Sequence, residues 1–207
     1  ENKLRWTNLI IRDTVKQARL ATGKQNQTNV DYMRQNTAWY ERQLINTQLV
    51  GEFKLTPDLS LDLRGSYAKS SRNAPFELYF EYLRTNAAAD PLGAYFVNRL
   101  NNGNGGDARV TFSELDETLW SGSGDLSYKA LPGLSVTIGG AFSDTRRTSS
   151  RRQFQFLAPG VCEGVPSTPS SCLPSGVTLL RPDYLLGPDV VKTFRIGLIE
   201  SDEGNPA

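Results

Sequence analysis

The chain has 207 residues, a formal net charge of +1, two cysteines and no histidine, and 38% of its residues are hydrophobic. This charge balance lacks the basic footprint of a nucleic-acid-binding surface, and no apolar run reaches the length of a membrane helix. Without histidine, and with no carboxylate pair or nucleophile and base at a useful spacing, we expect no enzymatic activity, no metal site and no cofactor.

The first segment predicts a strand near residues 4–12, where Leu4, Trp6 and Ile10 share one face. Polar residues 23–29 then predict an exposed turn before the strand that begins near Trp39 and Tyr40.

Residues 57–67 and 132–142 repeat one pattern, in which a turn is followed by apolar residues at alternate positions, with a glycine and an aromatic at matching places. Period two predicts a strand. Over about nine residues at a tilt near 45°, each stripe rises about 20 Å, close to the apolar band of about 25 Å that a transmembrane β-barrel presents to lipid. The following side chains are therefore predicted to face lipid: Leu61, Leu63, Tyr67, Val136, Ile138 and Phe142.

The connections between the predicted strands are sharply unequal. Tight turns close two hairpins at about residues 39–70 and 118–145, whereas residues of about 71–117 and 146–207 form long loops. Short turns at one rim and long loops at the other are typical of an outer-membrane barrel. A secreted or surface β-sandwich that binds or adheres to a partner is the alternative, because its strands also alternate between apolar and polar residues.

The predicted fold is all-β, a partial antiparallel transmembrane β-barrel of about four to five strands in a single segment, 1–207. A closed barrel needs about eight strands, so the chain is expected to be a fragment that does not fold alone. The start at Glu1 and the absence of a signal peptide or a terminal strand point the same way.

Several phrases of the sequence resemble the barrel region of TonB-dependent outer-membrane receptors. They are residues 39–44 leading into 51–53, residues 61–67, residues 71–77, residues 112–117 and residues 180–183. The resemblance implies a barrel of about 22 strands with a plug domain, in the outer membrane of a Gram-negative cell. It also implies uptake of a siderophore, another metal chelate, cobalamin or an oligosaccharide, with energy relayed by the TonB complex. Neither the plug nor its TonB-contacting segment is expected in this chain. The implied partners are lipid, the rest of the barrel and plug, the TonB complex and a small-molecule ligand.

The first long loop contains Phe76, Tyr79, Phe80 and Leu83 at the spacing of a short amphipathic helix. One hypothesis makes this loop a lid that contacts the ligand, and the other packs its apolar stripe against neighbouring loops, which is the more usual outcome. The candidate ligand contacts in the loops are Arg72, Glu77, Tyr79, Tyr82, Arg84, Arg146 and Arg147.

The arginines near residues 146–152 either bind anionic groups of ligand or lipopolysaccharide, or simply mark the solvated end of a strand. Cys162 and Cys172 lie in a short loop rich in proline and serine, which favours a disulfide in an oxidising compartment over two free thiols. Six charged residues are predicted to face the lumen and to pair with one another or with the plug: Glu52, Lys54, Asp62, Arg64, Asp125 and Lys129.

Overall fold

The computed structural model describes residues 2–25, 29–100, 105–159 and 173–200. The chain forms one six-stranded antiparallel sheet with strand order β1-β2-β3-β4-β5-β6. The strands are β1 (Lys3–Gln25), β2 (Val30–Lys54), β3 (Leu59–Arg84), β4 (Asp107–Leu131), β5 (Leu134–Leu157) and β6 (Gly197–Glu200). The prediction of an all-β fold is confirmed, and the sheet is open. β6 pairs with the end of β5, from Leu157 opposite Gly197 to Phe154 opposite Glu200.

Three short helices precede β6: α1 (Ser175–Thr178), α2 (Pro182–Leu185) and α3 (Pro188–Thr193). Proline at the first position of α2 and α3 favours these starts, because its missing N–H would have no helical partner there. Within the described ranges, no helix is long and apolar enough to cross a membrane.

Two tight turns connect the long strands at residues 55–58 and 132–133. In the second turn Pro132 is followed by Gly133 at a φ of 89°, a conformation that glycine adopts without strain and that Pro-Gly turns commonly use. In the first, the amides of Leu55 and Thr56 both donate to the carbonyl of Leu59.

The helix predicted over residues 76–83 is wrong, because these residues belong to β3. The same run also alternates, with Phe76, Leu78, Phe80 and Tyr82 on one face, and aromatic residues favour strands. Pairing with β2 and β4 decides between the two periodicities. β4 begins at Asp107 and β5 continues to Leu157, so the two long connections between strands are shorter than expected, at residues 85–106 and 158–196.

The chain divides into two compact units. Unit 1 comprises Glu1–Thr14, Tyr40–Asn73 and Glu114–Ser150, and unit 2 comprises Val15–Trp39, Ala74–Ser113 and Arg151–Ala207.

Unit 1 carries two chemically different faces. On one face the rings of Tyr67 and Trp120 lie 4.5 Å apart. On the other, the hydroxyls of Ser66 and Ser121 share a hydrogen bond of 2.7 Å, and those of Ser127 and Thr137 share one of 2.8 Å. Because successive side chains in a strand point to opposite faces, these contacts separate an apolar face from a polar face. Large hydrophobic residues of the apolar face are exposed: Leu4, Trp6, Leu49, Leu55, Leu63, Trp120, Leu126, Tyr128, Leu134, Val136, Ile138 and Phe142.

Unit 2 contains the hydrophobic core. Phe80 and Tyr82 of β3 and Ala108 of β4 pack against Leu100 of the β3–β4 connection and against Leu185 of α2. The hydroxyl of Tyr82 donates to the carbonyl of Leu180 at 2.8 Å, so the segment that carries the helices is anchored to the sheet. The other members of the core cluster are Ala158, Leu173 and Ile196.

Candidate functional site

A set of polar side chains lies in unit 2 on the sheet face opposite the core. Tyr79 and Glu81 alternate along β3 with the buried Phe80 and Tyr82, and therefore point away from the core. Neighbouring strands add the remaining members. The polar network, as we call it, consists of Arg34, Tyr79, Glu81, Asp107, Arg109, Thr111, Gln153 and Gln155.

The first half of the network joins β2 to β3. The Nε of Arg34 donates to Oε2 of Glu81 at 2.6 Å, and the hydroxyl of Tyr79 donates to the same oxygen at 3.0 Å. The guanidinium of Arg34 also lies 4.3 Å from the ring centroid of Tyr32. Burial, together with the hydrogen bond to Glu81, raises the pKa of Tyr79 to about 12. The phenol therefore stays protonated and keeps donating at neutral pH.

The second half joins β4 to β5. Arg109 forms an ion pair with Asp107, and the amide of Gln155 donates to Oδ1 of Asp107 at 3.1 Å. Burial raises the pKa of Asp107, while the charge of Arg109 acts in the opposite direction. Nearby, Thr111 donates to Oε1 of Gln153 at 3.3 Å.

Both halves meet at Tyr79, because the guanidinium of Arg109 lies 6.0 Å from the centroid of its ring. The network therefore contains two carboxylates and two guanidiniums, and a third guanidinium, that of Arg151, donates to Oε1 of Gln153 at 3.1 Å. In each ion pair the carboxylate is more buried than the arginine. The side chain of Glu81 is 19% exposed against 45% for Arg34, and that of Asp107 is 9% exposed against 36% for Arg109. Such an arrangement presents fixed donors beside fixed acceptors, which is suited to binding a polar molecule.

Unit 1 has an open pocket of about 300 Å³ on its polar face. Arg64 supplies a guanidinium, and serines from three strands supply hydroxyls. The lining residues are Gln48, Arg64, Gly65, Ser66, Ser121, Gly122, Ser123, Ala141, Phe142 and Ser143.

The six charged residues predicted to face the lumen do not pair with one another. Among the residues that the structure describes, no ion pair within 4.0 Å joins any two of Glu52, Lys54, Asp62, Arg64, Asp125 and Lys129. The carboxylate of Asp125 lies against Gly139 instead. The alternative prediction, in which these charges meet another segment, stays a prediction.

The residues predicted as ligand contacts in the loops lie in different environments. Tyr82 is only 2% exposed and belongs to the core, so in this structure its side chain presents almost no surface to a ligand. Arg84 donates to Asp31 through Nε and Nη2, at 3.0 and 2.6 Å. Hydrogen bonds from Asn86 and Arg84 lower the pKa of Asp31, which keeps this pair ionised.

Other predicted contacts lie on strands rather than in loops. Arg72 of β3 stacks on Tyr40, with 4.9 Å between the guanidinium and the ring centroid, and Glu77 lies farther along the same strand. Arg146 and Arg147 lie on β5 and pair with Asp144 at 3.4 Å and Glu117 at 3.8 Å, respectively. Of the predicted contacts, Tyr79 is part of the polar network.

The cysteine prediction lies outside the described residues, since Cys162 and Cys172 both fall between the described ranges 105–159 and 173–200. The predicted lipid-facing residues are on the apolar face of unit 1, where Ile138 is 73% exposed and Phe142 is 70% exposed. Within the described part of the chain, no group of three or more acidic or cysteine side chains is arranged to hold a metal ion.

Sequence reasoning missed most of the network. Residues 107–111 read Asp-Ala-Arg-Val-Thr, an alternation that indicates a strand with one polar face, but they were expected to lie in a loop. The signal at Arg34 is weaker, because the polar residues around it show no clear period.

No family model matches the chain, and a comparison with curated proteins finds no match either.

Proposed function

We propose that this chain forms part of the wall of an outer-membrane β-barrel of the TonB-dependent receptor type. Its parent protein would take up a siderophore, another metal chelate, cobalamin or an oligosaccharide across the outer membrane of a Gram-negative cell. The observation that carries this proposal is the apolar face of unit 1, whose large side chains stay exposed on consecutive antiparallel strands.

The apolar face is a bounded band. On β5 the stripe runs from Leu134 to Phe142, and the next side chains of the same parity are Asp144 and Arg146. On β3 the stripe ends at Tyr67, and Lys69 follows at the next position of that parity. A stripe of this length rises about 20 Å at a barrel tilt, and the change to charged residues is expected where a strand leaves the hydrocarbon layer.

Lipid fits this face better than a second sheet does. A β-sandwich covers its apolar face with another sheet about 10 Å away. The described residues form a single sheet, and Ile138 and Phe142 remain largely exposed. A soluble monomer rarely leaves so many neighbouring hydrophobic side chains in water.

The polar face of unit 1 supports the same proposal. In a barrel this face lines the lumen, where the six charged side chains, which form no ion pair with one another in the described part of the chain, can meet a plug domain. Energy for transport would reach the receptor from the TonB complex through that plug. The open sheet requires further strands to complete the barrel, because an open edge cannot lie in lipid.

Labelling of single cysteines in the intact parent protein tests the orientation of the strands. In a background with Cys162 and Cys172 replaced by serine, we would introduce Ile138→Cys on the apolar face and Ser135→Cys on the polar face of the same strand. In intact outer membranes, Ile138→Cys should react with a lipid-soluble maleimide and resist a charged one. Ser135→Cys should react with the charged maleimide once that reagent has access to the lumen of the barrel. Equal labelling of both sites by the charged reagent, or recovery of the protein as a soluble secreted module, would refute the barrel.

A further inference from the structure

We propose that the two long connections of unit 2, residues 85–106 and 158–196 as far as the structure describes them, form a fixed brace on one face of the sheet. A fixed brace differs from a lid, because it does not close over the polar network on the other face. The inference rests on the proposed uptake function for the role of the network as a ligand site. The immobility of the brace is argued from contacts within unit 2.

Both connections contact the sheet face that lies opposite the polar network. On β4, Ala108 belongs to the core cluster, whereas its neighbours Asp107 and Arg109 belong to the network. The other three strands alternate in the same way, and their pairs of core-facing and network residues are Met33 and Arg34, Phe80 and Tyr79, and Phe156 and Gln155. The connections add Leu100 and Leu185 to the core, and both are 0% exposed. A lid over the network would have to leave this core.

The first connection is hydrogen-bonded to the sheet. Val97 and Leu83 form an antiparallel bridge, in which each amide donates to the carbonyl of the other at 2.9 Å. The side chain of Asn98 donates to the carbonyl of Asp107 at 2.9 Å and accepts from the amide of Leu100 at 2.8 Å. Val97 is 1% exposed and Asn98 is 0% exposed. Detachment would therefore break the bridge and place buried apolar side chains in water.

The two connections are also bonded to each other. The amide of Asn98 donates to the carbonyl of Thr178 at 2.9 Å, and the amide of Ala158 donates to the carbonyl of Leu100 at 3.2 Å. The hydroxyl of Tyr82 on β3 then holds the carbonyl of Leu180 at 2.8 Å. Neither connection can leave the sheet without breaking contacts with the other, so the brace is expected to behave as one body.

Hydrogen exchange of the intact parent protein in detergent micelles measures detachment directly. The amides of Val97 and Asn98 bond to β3 and to the second connection, and they exchange only when those bonds open. A lid needs a detached state that is populated at about 0.1 to 10%, which limits protection to about 10- to 1000-fold. We expect a fixed brace to protect both amides more than about 1000-fold. Weaker protection, with the amides of β3 still strongly protected, would overturn the proposal.

A pair of asparagine variants tests whether the brace is one body. Asn98→Ala should speed exchange about 10-fold in residues 96–100 and also in residues 173–187, because Asn98 positions the contact with Thr178. Asn86→Ala is the matched control, since Asn86 lies in the same connection but bonds to Asn29 and Asp31. It should leave residues 173–187 unchanged. Faster exchange in the first connection alone in Asn98→Ala would show that the two connections move separately.

Thiol labelling follows the brace during transport. In a background with Cys162 and Cys172 replaced by serine, Thr178→Cys is buried under the brace, at a site that is 1% exposed, and Ser175→Cys is exposed on the same helix. In energised cells and in cells treated with a protonophore, N-ethylmaleimide should label Ser175→Cys and spare Thr178→Cys. Labelling of both at similar rates in energised cells would mean that the brace detaches. Exchange in the wild-type protein decides the question if Thr178→Cys does not assemble.

Failure of this inference is separable from failure of the barrel. An outer-membrane protein whose Val97 and Asn98 amides exchange rapidly overturns the brace and leaves the barrel standing. A soluble secreted protein in which both amides are strongly protected overturns the barrel and leaves the brace standing.

Discussion

Replacing Ile138 by arginine tests the lipid-facing role of the apolar face. Ile138 is 73% exposed and lies midway along the stripe from Leu134 to Phe142 on β5. It lies four positions from either end, which at about 3.3 Å per residue and a tilt near 45° places it about 9 Å from each edge of the stripe. In the proposed barrel this position is close to the middle of the hydrocarbon layer, so an arginine there would have little water within reach.

The expected cost follows from this depth. Arginine on the lipid face near the midplane destabilises a barrel by about 2 to 4 kcal/mol, and the cost falls to about 0 to 1 kcal/mol near the interfaces. Ile138→Arg should therefore lower the folding equilibrium constant about 30- to 800-fold. Leu134→Arg, at the end of the stripe, should be tolerated far better. Ser135→Arg is the matched control, because it places the same side chain on the polar face of the same strand.

The assay is the amount of folded intact protein in the outer membrane, followed by urea unfolding in lipid vesicles. The ordering of stability should be wild type, Ser135→Arg and Leu134→Arg close together, with Ile138→Arg well below them. Ile138→Arg at the wild-type level would refute a lipid contact at this position. Equal losses in Ile138→Arg and Ser135→Arg would show that the two faces of β5 are not in different environments.

Three further predictions concern glycine packing, a buried ion pair and the anchoring of the helical segment. Gly139→Ala should destabilise the intact protein by about 1 to 3 kcal/mol in urea unfolding, because a Cβ there would meet Asp125 and lie 2.9 Å from the carbonyl oxygen of Gly124. Gly140→Ala is the control, and its effect on stability should be close to zero because open space surrounds that position. Asp90→Asn should cost about 3 to 5 kcal/mol, because it leaves the guanidinium of Arg99, 4% exposed, without its carboxylate. Burial opposes ionisation of Asp90, but hydrogen bonds from Leu92, Thr85 and Arg99 outweigh it and lower the pKa of Asp90. The stability that this carboxylate contributes is therefore present above the ordinary aspartate pKa of about 3.9 and is lost as the pH falls through the lowered pKa. Melting temperatures of Asp90→Asn, measured across that pH range, should lack this loss. Tyr82→Phe should cost about 0.5 to 1.5 kcal/mol and speed hydrogen exchange in residues 173–187, whereas unchanged exchange would mean that the bond to Leu180 does not anchor this segment.

Local patterns in the sequence predicted the all-β class, since alternation in residues 59–67 and 134–142 is carried by neighbouring residues. The ends of the strands were harder to predict because pairing decides them. Residues 76–83 satisfy both a helical and a strand period, and only their β2 and β4 neighbours select the strand. Pro182 and Pro188 are recognisable helix-start signals, but α2 and α3 span only four and six residues, too few to show a helical period.

The polar network was beyond prediction from one sequence for a related reason. Its members come from four strands, and Arg34 and Gln155 are far apart in the chain. Their meeting depends on the register of each strand, and a shift by one residue would turn every side chain to the other face. A helical spacing predicts Tyr79 as a ligand contact, but its place in the network follows from its position on β3, which is a different geometry.

The charged side chains on the polar face of unit 1 and those of the polar network in unit 2 differ in how far they are paired. On unit 1, three acidic and three basic side chains project without pairing to one another. Charged side chains exposed to water cost little free energy. If another molecule covers them, they need partners of both signs, which a polypeptide can supply and a small neutral ligand cannot. In unit 2 the charges of Arg34, Glu81, Asp107 and Arg109 already compensate one another. Arg151 donates to Gln153 beside them at 3.1 Å, so this surface also carries a guanidinium outside the two ion pairs.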